Sequence, residues 1–117
     1  KTFNKMAAQG DFIIMRIDNI PDNVEPMKAD DNNDYVIAHS ETGHNHVMEK
    51  TFFVEAFVPK GIKEVDLYEL FLNVEAPTEI NHLRSFDTHE SLLVPAGKYK
   101  IRRQREYVPQ GFRRATD

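Results

Sequence analysis

The chain has no cysteine among its 117 residues, which excludes a disulfide framework, a thiolate metal site and a thiol nucleophile and fits a reducing compartment. No apolar run approaches the roughly 18 residues that a membrane-spanning helix needs, so no membrane partner is expected. The opening, KTFNKMAAQGD, carries no apolar h-region of the kind found in signal peptides. Gly43 and Gly97 stand alone as turn residues and do not form a phosphate-binding loop. Convincing helical periodicity, internal repeats and low-complexity tracts are absent as well. The net charge of −4 gives no general attraction to nucleic acid, which is not expected as a partner.

What the sequence does contain is enough apolar material for one core: 40% hydrophobic residues, with eight Phe and four Tyr. That composition argues against disorder, and the length suits a single domain. Short apolar runs recur about every ten residues with turn chemistry between them. Asp11–Ile17 reads as a strand buried on both faces, and Tyr35–His39 as a second. His44–Met48 follows the Thr42-Gly43 turn. Thr51–Val58 alternates through Phe52, Val54, Ala56 and Val58. Leu67–Val74 is ambiguous between helix and strand, and its strand-rich flanks favour a strand. Glu79–His82 is a short strand after Pro77. Glu90–Val94 and Lys98–Val108, joined by Pro95-Ala-Gly97, read as the clearest hairpin in the chain. The expected architecture is all-β: a single-domain antiparallel sandwich, jelly-roll-like, or a small barrel. Its expected limits are an N-terminal arm over 1–9, a β domain over 10–108 and a C-terminal tail over 109–117.

Three of the five histidines, His39, His44 and His46, fall within eight residues, and His82 and His89 sit close together later. An H-x-H pair on a strand puts both imidazoles on one face, roughly 6–7 Å apart, near enough to share an ion. His44, His46, His82 and His89 are therefore the candidate metal ligands. His39 and Glu49 are spare ligands or outer partners, as are Glu41, Asp87 and Glu90. A donor set of nitrogen and oxygen suits zinc, iron, manganese or nickel. The competing readings are exposed strand histidines and a hydrogen-bonded histidine network without metal. Ser40 and Ser91 neighbour histidines in sequence, but alternation along a strand points neighbours to opposite faces, so no serine–histidine pair and no catalytic residue is assigned.

Charge is segregated. Asp30, Asp31 and Asp34 belong to an acidic stretch, while Lys98, Lys100, Arg102, Arg103, Arg105, Arg113 and Arg114 make the end of the chain basic. Two solvated faces would account for this. The sharper reading is that these residues bind partners, acidic patch to basic patch between copies of the chain. Arg103 and Arg105 share a face with Tyr99 and Ile101 and could instead pair with a buried acid.

The segments QGDFIIMRIDNIP, YVIAHSETGHNHV, NHLRSFDTHE and LLVPAGKYKIRRQREYVPQGFRR together resemble a small family with members in tailed-phage and some bacterial genomes. The resemblance covers Gln9 to Arg114, and TGHNH and RQREY are its most specific parts. It implies a head-associated accessory protein of the virion and brings no catalytic role. The H-x-H is also similar to the first cupin motif, but Glu49 follows His46 by only three residues. The histidine that cupins carry after P-x-G is missing, since Lys98-Tyr99-Lys100 follows Gly97. The expected function is a non-enzymatic phage capsid decoration or cement protein, homo-oligomeric, seated on the major capsid protein at the virion surface and made in the host cytoplasm. The alternative is a cupin-like metal-binding β-barrel enzyme or sensor, located in the cytoplasm, that uses the histidine cluster.

Overall fold

The computed structural model describes residues 6–8, 11–39, 45–82 and 91–103. Ten strands run in order: β1 (Met6–Ala8), β2 (Phe12–Ile17), β3 (Val24–Pro26), β4 (Asp34–Ala38), β5 (His46–Glu49), β6 (Val54–Pro59), β7 (Glu69–Val74), β8 (Thr78–His82), β9 (Ser91–Val94) and β10 (Gly97–Arg103). A single 3-10 turn, Glu64–Asp66, precedes β7. Among the described residues there is no α-helix, and no helix is long and apolar enough to cross a membrane.

The strands form two antiparallel sheets, one of six in the order β1-β2-β10-β7-β6-β3 and one of four in the order β4-β5-β8-β9. They close as a sandwich over a single core, as the period-two patterning requires. Phe12 and Ile14 of β2, Leu70 and Leu72 of β7, and Tyr99 and Ile101 of β10 supply one wall. Ile37, Met48, Ile80 and Leu92 supply the other, and all of these are buried. The ambiguous Leu67–Val74 segment resolves as a strand from Glu69, because Leu70, Leu72 and Val74 alternate inward.

Four expectations are corrected. The last hairpin is not one: β9 pairs with β8 in the small sheet, whereas β10 pairs with β2 and β7 in the large one. Pro95-Ala96 is a corner between sheets, held where the Tyr99 hydroxyl donates to Pro95 O at 2.6 Å and Arg16 Nη1 to Ala96 O at 3.3 Å. Gly97 has φ +153°, and a Cβ there would lie 2.5 Å from Arg16 Nη1. Second, Phe52 belongs to no strand. The Thr51 Oγ1 accepts from Phe53 N at 3.1 Å, so a local turn competes with the ladder and leaves Phe52 97% exposed.

Third, β2 is not fully buried on both faces: Phe12 and Ile14 are sealed, while Ile13, Met15 and Ile17 are half-buried. Fourth, the 1–9 arm is partly sheet, since Met6–Ala8 pairs with Ile13–Met15 and extends the large sheet by one strand. The short β3 pairs with β6, and Pro26 is tolerated because the strand is an edge. The proposed tail over 109–117 lies outside the described residues.

Arg103 ties the two sheets together. It ends β10, yet its guanidinium reaches across to the small sheet, donating through Nη2 to Val36 O at 2.8 Å and through Nε to Ile37 O at 3.0 Å. Nη1 donates to Leu67 O at 3.2 Å. Val36 and Ile37 lie at the β-bulge where β4 slips its register against β5, and β4 is an edge strand. The arginine thus occupies carbonyls that an edge and a bulge would otherwise leave unsatisfied. Burial pushes its pKa below the ordinary guanidinium value, and Glu64 opposes that shift.

Arg103→Met keeps much of the length and removes the donors. The buried carbonyls of Ile37 and Leu67 and the part-buried one of Val36 then lose their partner, and roughly 2–4 kcal/mol of stability is expected to go. Urea unfolding should show a lower midpoint with an unchanged slope. Gly97→Ala should cost roughly 1–3 kcal/mol in the same assay, from backbone strain and the collision with Arg16.

Candidate metal centre

Antiparallel pairing of β5 and β8 sets His46 directly opposite His82. The rings stack with centroids 4.1 Å apart and planes 20° from parallel. Phe12 meets the His46 ring edge-on at 5.1 Å. Asp11 stands one residue before β2, in the opposite sheet, and its Oδ2 lies 2.8 Å from His46 Nε2. One donor atom from each of Asp11, His46 and His82 falls within 4.8 Å of the others. Two backbones from one sheet and one from the other therefore converge on a single histidine–carboxylate cluster.

The burial is uneven. His46 is 1% exposed, while the Asp11 side chain is 29% exposed. His46 Nε2 faces Asp11, and the other ring nitrogen, Nδ1, is buried with no hydrogen-bond partner among the described residues. A buried polar atom in that condition costs roughly 1–3 kcal/mol, and such atoms mark places where an ion, water or strain has a role. The arrangement does not suit a His–Asp catalytic dyad, because the nitrogen remote from the carboxylate is sealed in the core rather than offered to a substrate.

Two imidazoles and a carboxylate are a donor set for zinc or non-haem iron. Bonds of about 2.0–2.2 Å place donors roughly 3.0–3.5 Å apart, and the His46–Asp11 pair, at 2.8 Å, stands just inside that spacing and would part slightly around an ion. The histidine pair does not: imidazole lone pairs lie in the ring planes, so a shared ion requires the two rings to tilt out of their stack.

Of the four histidines expected to form a metal site, the structure joins His46 and His82; His44 and His89 lie outside the described residues, as do Glu41, Asp87 and Glu90. His39 is exposed, just past β4, and its Nδ1 is 3.2 Å from Asn45 Oδ1. It lines a cleft of about 340 Å³ together with Asp11, Glu64, Tyr68 and Arg103. Glu49 is at the far end of β5, exposed and opposite Asp34, away from the cluster. Asp11 was missed because a carboxylate preceding an apolar run reads as a strand boundary. Only the sandwich brings it to His46.

The charged candidates separate in the same way. Asp30 serves its own loop, its Oδ1 accepting from Asn32 N at 2.9 Å and Asp34 N at 3.0 Å. Asp31 is exposed. Lys100 and Arg102 both reach Glu69 Oε2, at 3.1 and 3.5 Å, and Lys98 is exposed. Arg103 is corrected from partner contact to core residue, since its donors are turned to carbonyls. Among the described residues it pairs with no buried acid. Arg105, Arg113 and Arg114 lie outside the described residues.

The molecule is thus an all-antiparallel β-sandwich carrying a histidine–carboxylate cluster between its sheets. The chain belongs to the family described as a domain of unknown function, DUF8820, whose model matches residues 8–104. No curated protein and no solved structure matches it.

Asp34 gives a pH-dependent expectation. Burial, then the nearby Asp30 and Glu49, hold its carboxyl above the ordinary value of 3.8. The fold favours its protonated form, so its contribution to stability is full below about pH 4 and declines as the pH rises through the folded-state value. Asp34→Asn should melt higher than wild type near neutral pH, and the two curves should converge in acid.

Proposed function

We propose that this chain is a metal-ion-binding β-sandwich module in which Asp11, His46 and His82 hold a divalent transition-metal ion, zinc or iron by the chemistry of the donors. The observation that carries this reading is the convergence on His46: it is almost wholly buried, its Nε2 faces Asp11 Oδ2 at 2.8 Å, and its ring stacks on His82. An ion held there would take the place of the hydrogen between His46 Nε2 and Asp11, the ring proton passing to Nδ1, and would join strands from both sheets. Its first effect is therefore on stability. Three protein donors also leave at least one coordination position for another ligand.

Purified protein stripped of metal and titrated with Zn(II) should bind one equivalent and melt at higher temperature. Stabilisation of about 2.7 kcal/mol is expected when free metal is one hundred times Kd. His82→Gln, which keeps a polar side chain at a half-buried position, should weaken binding by at least roughly 100-fold, with the β-sheet circular dichroism unchanged. Equal affinity in wild type and variant would remove the basis of the reading.

A second reading is the non-enzymatic one, a phage capsid decoration protein that oligomerises on the major capsid protein. Its support is the exposed pair Phe52, 97% accessible, and Phe53, 53% accessible, on the turn before β6. Side chains of that size on a surface turn suit burial against a protein partner. Co-purification with virions at a fixed ratio to the capsid protein, lost on Phe52→Ser, would favour it.

A further inference from the structure

The outer face of the six-stranded sheet is not the polar face that a sandwich with one core needs. Residues opposite each other across a ladder point to the same side, so register alone defines an outward row: Met15 of β2, Lys100 of β10, Phe71 of β7 and Phe57 of β6. The row faces away from the core because Tyr99 and Ile101, on either side of Lys100, face into it. Ile13 and Ile17 lie on the same side of β2, opposite Arg102 and Lys98. Strands apolar on both faces are the pattern of a sheet covered on both, and one chain covers only the inner face. Ile13, Met15, Ile17 and Phe57 are left half-buried, with the cations of β10 running between them.

The four-stranded sheet carries the opposite charge. Asp34 of β4 stands opposite Glu49 of β5. One step past the Met48–Ile80 pair, Glu49 meets Glu79 of β8, which is itself opposite Leu93 of β9. These residues point outward, since Met48, Ile80 and Leu92 beside them face the core. None of the four strands contains a lysine or arginine. The crowding is felt at Asp34, whose carboxyl is held above its ordinary value by burial first and then by Asp30 and Glu49. On the large sheet the balance is reversed: Lys98, Lys100 and Arg102 outnumber the outward acids Glu69 and Glu55, and Glu69 Oε2 is shared by Lys100 and Arg102.

We infer that copies of this chain associate head to tail, the apolar, cationic outer face of the six-stranded sheet in one copy covering the acidic outer face of the four-stranded sheet in the next. The contact needs neither a metal ion nor a capsid. An anionic lipid surface or an unrelated acidic protein would meet the basic face alone, whereas a second copy occupies both faces.

Size sets the strength. Strands about 4.8 Å apart, rising about 3.3 Å per residue, make the smaller face roughly 15–20 Å on a side, at the low end of protein interfaces. The contact is therefore weak, and its charges decide whether it forms. Because one face meets a different one, the pairing does not close in a dimer and extends to rings or filaments as concentration rises.

Sedimentation velocity on the full chain in EDTA tests this independently of the metal reading. Wild type should gain mass with concentration at low ionic strength and return to monomer near 1 M NaCl, where the Debye length is about 3 Å. Lys100→Glu and Glu79→Lys should each weaken association by at least roughly tenfold, because like charges then meet. Mixed in equal amounts the two variants should associate again, since each supplies the face that the other has lost. Lys98→Glu, at an exposed position opposite Asn73, repeats the first arm if Lys100→Glu lowers the melting temperature. A wild type that stays monomeric to about 1 mM, association that ignores both substitutions, or a mixture as dissociated as its components would each overturn the inference. So would a monomeric wild type that binds phosphatidylglycerol vesicles through Lys100, which would assign the basic face to an anionic lipid surface.

Discussion

The hydrogen bond between Asp11 and His46, 2.8 Å long, joins the large sheet to the small one. Asp11 leads into β2 of the large sheet, and His46 begins β5 of the small one. Setting a carboxylate and an imidazole between packed sheets is costly unless each finds a partner. Their mutual bond, the His82 stack and the Phe12 edge provide that environment. Phe12 follows Asp11 directly, so the residue that anchors the strand in the core also fixes the carboxylate against the histidine.

The same end of the sandwich holds another polar link. Arg103 is the register partner of Phe12 across the β2–β10 ladder, and its guanidinium closes the carbonyls of the β4 bulge. Both polar connections therefore lie beside Phe12, His46 against its ring and Arg103 as its register partner. These two links are directional, and they constrain how the sheets meet. Tyr99 plays a related part at the opposite end of β10, where its buried hydroxyl closes the Pro95-Ala96 corner; burial holds its pKa above the ordinary phenol value, with Arg16 opposing.

Much of the fold could be read from local pattern. Apolar alternation located β4, β6 and β10, because burying one face of a strand leaves a period of two in the sequence, and a short Ile-rich run located β2. Pairing was less legible. Ser91–Val94 and Gly97–Arg103 are separated by a short Pro-Gly turn, as a hairpin would be, yet they belong to different sheets. Turn residues mark a change of direction but not which sheet the chain enters next. The site was half legible for the same reason. Histidine spacing singled out His46 and His82, whose contact follows from β5–β8 pairing. Asp11 joins them from 35 residues away through sheet-on-sheet packing, which no local period records. Arg103 looked like a surface cation because its neighbours Lys100 and Arg102 are. Its inward position follows from strand alternation, which puts it on the face of Tyr99 and Ile101, and a bulge in the facing strand gives its donors somewhere to go.

The most direct measurement of the central claim is X-ray absorption at the zinc edge on the stoichiometric complex, in wild type and in Asp11→Asn. A shell of low-Z donors at about 2.0–2.1 Å with the outer scattering of two imidazoles, altered in the variant, is the result expected for an ion held by Asp11, His46 and His82. A shell of oxygen alone, or a spectrum indifferent to Asp11, would contradict it and leave the cluster as a hydrogen-bonded clasp between the sheets.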